Sequence, residues 1–164
     1  MVVLVSLATL LLSILVSLWL SSFHNLHLPS VGTIRVIGVE AFGGNLTTAQ
    51  KGSQILDWGT VYPGISVNRL LYVKSKSNLP IILQLTISDL TFQDSKGANV
   101  TEPLPLKEPL ILKWNYTAGK TLKPGEQICV VLTLEVSSDP RFISYIVDND
   151  VKSFSFVINI KPME

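Results

Sequence analysis

Residues 80–90 read PIILQLTISDL, and the alternation within them decides the fold class. Ile81, Leu83, Leu85 and Ile87 fall on one side of an extended chain, and Ile82, Gln84, Thr86 and Ser88 on the other, because successive strand side chains point to opposite faces. A period of two with one apolar face predicts a strand that packs on one side. Upstream, residues 67–77 (VNRLLYVKSKS) alternate in the same way, with Val67, Leu71 and Val73 inward and Asn68, Lys74 and Lys76 outward. Ser77-Asn78 supplies turn chemistry between the two runs, so an antiparallel hairpin is expected.

The pattern continues on both sides. Leu110, Leu112 and Trp114 give one further face, Ile128, Val130, Leu132, Leu134 and Val136 another, and Phe154, Phe156, Ile158 and Ile160 the last. Before the expected hairpin, residues 33–42 (TIRVIGVEAF) and 54–61 (QILDWGTV) read as strands, with Gly43-Gly44 and Lys51-Gly52 as turn signals. A helical turn or two is predicted over residues 138–147, SDPRFISYIV, capped by Ser138 or Asp139 and opened by Pro140, bridging the last two strands. Short strands punctuated by Gly, Pro, Asn and Asp predict a mainly β domain, an antiparallel β-sandwich over residues 33–164.

Residues 1–20, MVVLVSLATLLLSILVSLWL, carry no charge, and Ser6, Thr9, Ser13 and Ser17 are their only polar side chains. At 1.5 Å per residue, about 20 residues cover roughly 30 Å of hydrocarbon, so a transmembrane helix is expected, placed at residues 1–22 with a linker over 23–32. Trp19 and Phe23 lie where an interfacial aromatic belt falls. An apolar run this long, followed by SSFHNLHLPS, fits an uncleaved signal-anchor better than a cleaved signal peptide, for which Ser22 is a poor site. Thr9, Ser13 and Ser17, four apart, share one helix face and match a small-residue association pattern, although hydroxyls also occur incidentally in membrane helices. The expected topology is a single pass with the C-terminal domain outside the cell, or a secreted domain if the segment is removed.

Composition narrows the function. A net charge of +1 over 164 residues, with 15% charged residues of mixed sign, provides no basic stripe, so nucleic acid is not an expected partner. Cys129 is the only cysteine, which excludes an intrachain disulfide and cysteine-based zinc sites. His24 and His27 stand alone in the linker, and Asp139, Asp148 and Asp150 surround the last connection without a calcium-loop ligand series. No GxSxG and no Gly-rich loop before a helix occur. The reading is therefore non-enzymatic, with no catalytic, cofactor or metal residues. Trp58 and Tyr62 are read as covering the core rather than as a recognition patch. Three N-x-T sequons, at Asn45, Asn99 and Asn115, are candidate glycosylation sites; Asn45 and Asn99 fall in expected loops, whereas Asn115 flanks Trp114 within an expected strand.

Two phrases carry a resemblance: DWGTVYPG (57–64) leading into LLYVKSKSNLPIILQLT, and LKPGE (122–126) leading into ICVVLTLEV. They resemble immunoglobulin-like bacterial and archaeal cell-surface domains, in which a Pro-Gly turn precedes one strand, a polar N-x-x-P turn leads to a second, and a later L-x-P-G-E turn opens another. The layout is similar to archaeal membrane-anchored surface proteins and, more distantly, to camelysin/TasA-like fibre subunits and archaeal bundling pilins. The resemblance implies an immunoglobulin-like sandwich with a structural or adhesive role, anchored through residues 1–20 and partnered by other envelope proteins or by itself. A secreted subunit polymerising by strand addition through residues 23–39 is the alternative it implies. The metalloprotease label attached to camelysins would imply a metal-dependent hydrolase, but this chain has no HExxH.

Overall fold

The alternating apolar positions become the facing sides of two sheets, in a computed structural model that describes residues 28–36, 38–48 and 54–163. The elements run β1 (Leu28–Val36), β2 (Val39–Phe42), β3 (Leu46–Thr48), β4 (Gln54–Val61), β5 (Ser66–Ser75), β6 (Ile81–Asp94), β7 (Leu110–Trp114), β8 (Thr121–Leu122), β9 (Gln127–Val136), α1 (Pro140–Asp148) and β10 (Val151–Pro162). One sheet has six strands in the order β3-β4-β1-β10-β6-β8, and the other has four, β2-β5-β9-β7. Leu71, Val73, Val130, Leu132 and Leu134 of the smaller sheet are buried, as are Leu56, Trp58, Phe156, Ile158 and Ile160 of the larger. The chain is thus mainly β, with two sheets arranged as a sandwich. Residues 1–27, including Thr9, Ser13, Ser17 and both histidines, lie outside the described residues.

Three expectations are corrected. Residues 67–77 and 80–90 do not form a hairpin: β5 pairs with β2 and β9, whereas β6 pairs with β10 and β8. The connecting residues are used up in crossing between the sheets. The amide of Ser75 donates to the carbonyl of Glu126 (2.9 Å) and that of Lys76 to Gly38 (3.0 Å), while the Leu79 amide donates to Ser77 Oγ (3.1 Å). Two runs with one apolar face each can lie side by side in a sheet or opposite each other across a core, and their alternation is the same in both cases.

Residues 33–42 are not one strand either. They end β1 and form β2, which lie in different sheets, and β1 starts at Leu28 rather than at Thr33. Its inward positions Leu28, Ser30 and Gly32 are only partly apolar, which hides the period. They are small because bulk comes from opposite: a Cβ on Gly32 would lie 3.0 Å from the Trp58 indole nitrogen and 3.2 Å from Ile158.

Third, the larger sheet is mixed. β1 runs parallel to β10 over Ser30–Val36 against Phe154–Ile160, although its other neighbour β4 is antiparallel. Parallel neighbours cannot be joined by a tight turn, and here almost the whole domain separates them in sequence.

Bulges re-aim three strands, the one in β10 leaving Lys152 extra between Val151 and Ser153. In β4, Ser30 faces Gly59 and Val31 faces Asp57, leaving Trp58 extra. Gly59 takes a left-handed conformation (φ 70°) with its amide donating to Asp57 Oδ1 at 2.7 Å, an arrangement that favours glycine. In β6, Asp89 (φ 53°) and Leu90 stand against Phe156 alone, so the inward series passes from Leu83, Leu85 and Ile87 to Leu90 and Phe92.

The helix follows the sequence reading. Asp139 caps α1 by accepting from the Arg141 amide (2.9 Å), and Pro140 opens it. Phe142, Tyr145 and Ile146 form its buried face. Phe92 meets the rings of Phe142, Tyr145 and Phe154 at 5.8, 6.0 and 5.9 Å, which closes one end of the sandwich.

Candidate functional site

Arg69 does what no sequence pattern announced. It occupies an inward position of β5 between Val67 and Leu71, and its guanidinium reaches across to β4, donating to the carbonyls of Asp57 (Nε, 2.7 Å) and Trp58. Both carbonyls belong to the bulge, where Trp58 has no register partner on β1, and a buried or half-buried carbonyl needs a donor. The available signal was a charged residue in phase with an apolar face, where a partner has to exist. Trp58 is fully buried, in keeping with its reading as core, and stacks on Phe156 with centroids 6.2 Å apart; Tyr62 is 41% exposed beside the Tyr62–Ile65 turn.

The sequon asparagines are all exposed. Asn45 lies in the turn between β2 and β3, and Asn115 one residue past the end of β7, not within the strand. The Asn45 amide donates to the Leu70 carbonyl (2.8 Å), and its Oδ1 accepts from the Leu70 amide (2.8 Å). Asn115 repeats this with Val131, at 3.2 and 2.9 Å. Asn99 differs: its Oδ1 accepts from the side chain of Gln93 at 3.3 Å.

The acidic residues around the last connection do not converge. Asp139 is bound to Arg141 (2.8 Å), and Asp150 to Lys152 (2.8 Å) and Ser95; among the described residues no group of three or more His, Cys, Asp or Glu is placed to hold a metal ion. The Arg141 guanidinium, and then its amide, holds the Asp139 carboxyl below its ordinary value; Lys152, followed by Ser95, does the same for Asp150, and Lys76 for Glu40. Burial pushes up the phenols of Tyr116 and Tyr145, which donate to the carbonyls of Lys120 and Glu102. Cys129 is exposed on β9, paired with Tyr72.

A carboxylate whose pKa is depressed in the folded protein stabilises it above the ordinary carboxylate pKa of about 4, and that contribution is lost as pH falls through the depressed value. The melting temperature is expected to be flat near neutrality and to fall once the pH drops below about 4. Asp139→Asn, which keeps a capping side chain, should make that fall shallower. A melting series in which wild type and variant descend in parallel would refute the assignment to Asp139.

A groove of about 470 Å³ opens between β6 and β7, lined by Ile87, Asp89, Leu90, Lys107, Glu108 and Leu112 among others. Another of about 410 Å³ runs over β1, β4 and β10 beside Ser30, Asp57, Ser153 and Ser155. In the first, the Ser88 hydroxyl donates to Asp89 Oδ2 at 3.1 Å; both histidines lie outside the described residues. Among the described residues no helix is long and apolar enough to cross a membrane. No family model and no curated protein matches this chain.

Proposed function

We infer that this chain is a non-enzymatic cell-envelope protein, a single-pass anchor displaying an immunoglobulin-like sandwich outside the cell in a structural or adhesive role. The observation carrying this reading is the position of β1. Only residues 21–27 separate the apolar run 1–20 from a strand bonded on both sides, to β4 and to β10. A strand so placed ties the domain to an upstream membrane segment through two ladders rather than through a free tail. Pro-Gly turns and connections that pass from sheet to sheet support the immunoglobulin-like reading.

Cys129 makes the topology testable. It is the sole cysteine and is exposed, so a membrane-impermeant thiol reagent applied to intact cells should label it. The intact mass of protein extracted from membranes should include residues 1–20. Absence of labelling in intact cells, with labelling after lysis, would overturn external display.

The central position of β1 also favours a second reading, a secreted subunit that polymerises by strand addition. Withdrawing β1 would open the facing edges of β4 and β10 to a strand from another chain. Val31 and Ser155 are exposed partners in the parallel register, within disulfide reach for cysteines placed there. In a Val31→Cys, Ser155→Cys protein with Cys129→Ser, oxidation should yield monomer if β1 fills its own domain. A ladder of cross-linked chains starting near Phe23 would establish the polymer instead.

A further inference from the structure

We propose that Asn45 and Asn115 are a matched pair of N-glycan attachment sites, one at each edge of the four-stranded sheet, whose sugars bar other strands from adding to those edges. The inference rests on external display of the domain.

The pairing comes from the register. Leu70 of β5 lies opposite Val131 of β9. Each directs its amide and carbonyl away from the other, as in a non-hydrogen-bonded antiparallel pair, so both point toward an edge of the sheet. At one edge β2 has ended at Phe42, and at the other β7 has ended at Trp114. An asparagine takes over at both places, its own amide replacing a strand amide and its Oδ1 replacing a strand carbonyl. The two side chains thereby terminate the same row of the sheet on opposite sides.

This arrangement divides the carboxamide into two functions. Oδ1 belongs to the fold, whereas Nδ2 makes no hydrogen bond among the described residues and both asparagines are exposed. N-glycosylation uses only the nitrogen: Nδ2 forms a bond to the anomeric carbon of a lipid-linked sugar, the bond from that carbon to the lipid phosphate breaks, the nitrogen loses a proton and the lipid phosphate departs. The product keeps its carbonyl oxygen, so the bonds to the Leu70 and Val131 amides survive the modification. Each asparagine begins an N-x-T triplet, with Thr47 and Thr117 at the third position.

The location also gives the sugars something to do. β2 and β7 are the edges of the smaller sheet, and the β7 edge exposes Ile111 at 41%. An open edge with an apolar side chain is a template for another strand. The charged Lys113 on β7, paired to Glu135 at 2.7 Å, is one guard, and a bulky solvated chain one residue beyond Trp114 is a stronger one. Asn99 lies on the loop after β6, away from this row, and is not part of the pair.

The test is peptide mass mapping of full-length protein isolated from the membranes of its own cells, alongside external labelling of Cys129. The peptides holding Asn45 and Asn115 are expected to carry sugar masses. Thr47→Ala and Thr117→Ala should each remove the increment from their own peptide. Asn45→Asp and Asn115→Asp should do the same while retaining the ladder bond, and so melt like the matching threonine variants. Asn45→Ala and Asn115→Ala lose bond and sugar together and should melt lower. Unmodified Asn45 and Asn115 in protein whose Cys129 is labelled from outside would overturn the inference and leave external display standing; Cys129 unreachable from outside would overturn both. Sugar on Asn99 alone, or on only one of the two, would also overturn the pairing.

Discussion

Trp58→Ala is expected to lower the unfolding free energy by about 3–5 kcal/mol, the range for emptying a large aromatic site in a core. Trp58 is fully buried, lies over Gly32 and stacks on Phe156. The space it leaves cannot collapse easily, because the bulge that aims it inward is held from across the core by Arg69. Its ring nitrogen is buried without a hydrogen-bond partner among the described residues. An unpaired buried donor costs about 1–3 kcal/mol, so Trp58→Phe, which sheds the donor while keeping a ring, should lose much less than the alanine variant. Urea unfolding measures both. An alanine variant within about 1 kcal/mol of wild type, well under the usual cost of such a cavity, would show that the indole is not a keystone of the sandwich.

Gly44→Ala carries the second large effect, from backbone rather than packing. A Cβ at this position would sit 2.1 Å from the carbonyl oxygen of Leu70, and the residue has φ 63°. The left-handed conformation costs a non-glycine residue about 1–2 kcal/mol. The collision must also push the turn off Leu70, breaking both bonds made by Asn45, each contributing about 1 kcal/mol. A loss of about 3 kcal/mol is expected from these terms together, with faster hydrogen exchange at the Leu70 amide. Gly125→Ala is the control: it shares a positive φ (71°), but its Cβ would meet nothing within 4 Å. Equal destabilisation of the two variants would show that the contact with Leu70 contributes nothing beyond backbone strain.

Both effects depend on features that one-dimensional periodicity conveys unequally. Phe154, Phe156, Ile158 and Ile160, and Ile128 through Val136 at every second residue, were legible as core faces because strand side chains alternate whatever sheet they join. All but Ile128 are buried, and Ile128 packs against the core partly exposed. The cap at Asp139 and the helix start at Pro140 were legible because capping is decided by neighbouring residues. Asn45 and Asn115 were visible as sequons, but their common row was not, since it depends on Leu70 standing opposite Val131. Arg69 stood in plain view at an inward position, yet its partners are two carbonyls at a bulge on a strand about a dozen residues away.

By itself, then, the amino-acid sequence determined the β class, the inward faces of most strands, the position of the helix and the Pro-Gly turns, all set by interactions over a few residues. Residues 80–90 were rightly read as a strand with one face toward the core, Leu83 buried and Leu85 and Ile87 partly buried against it. Tertiary structure alone decided that this strand lies across the core from residues 66–75 rather than beside them, that residues 33–42 divide between two sheets, and that β1 runs parallel to β10. The physical reason is the same in each case: alternation specifies which side of a strand is buried, while the neighbour it bonds to is chosen by long-range backbone pairing that leaves no local pattern in the side chains.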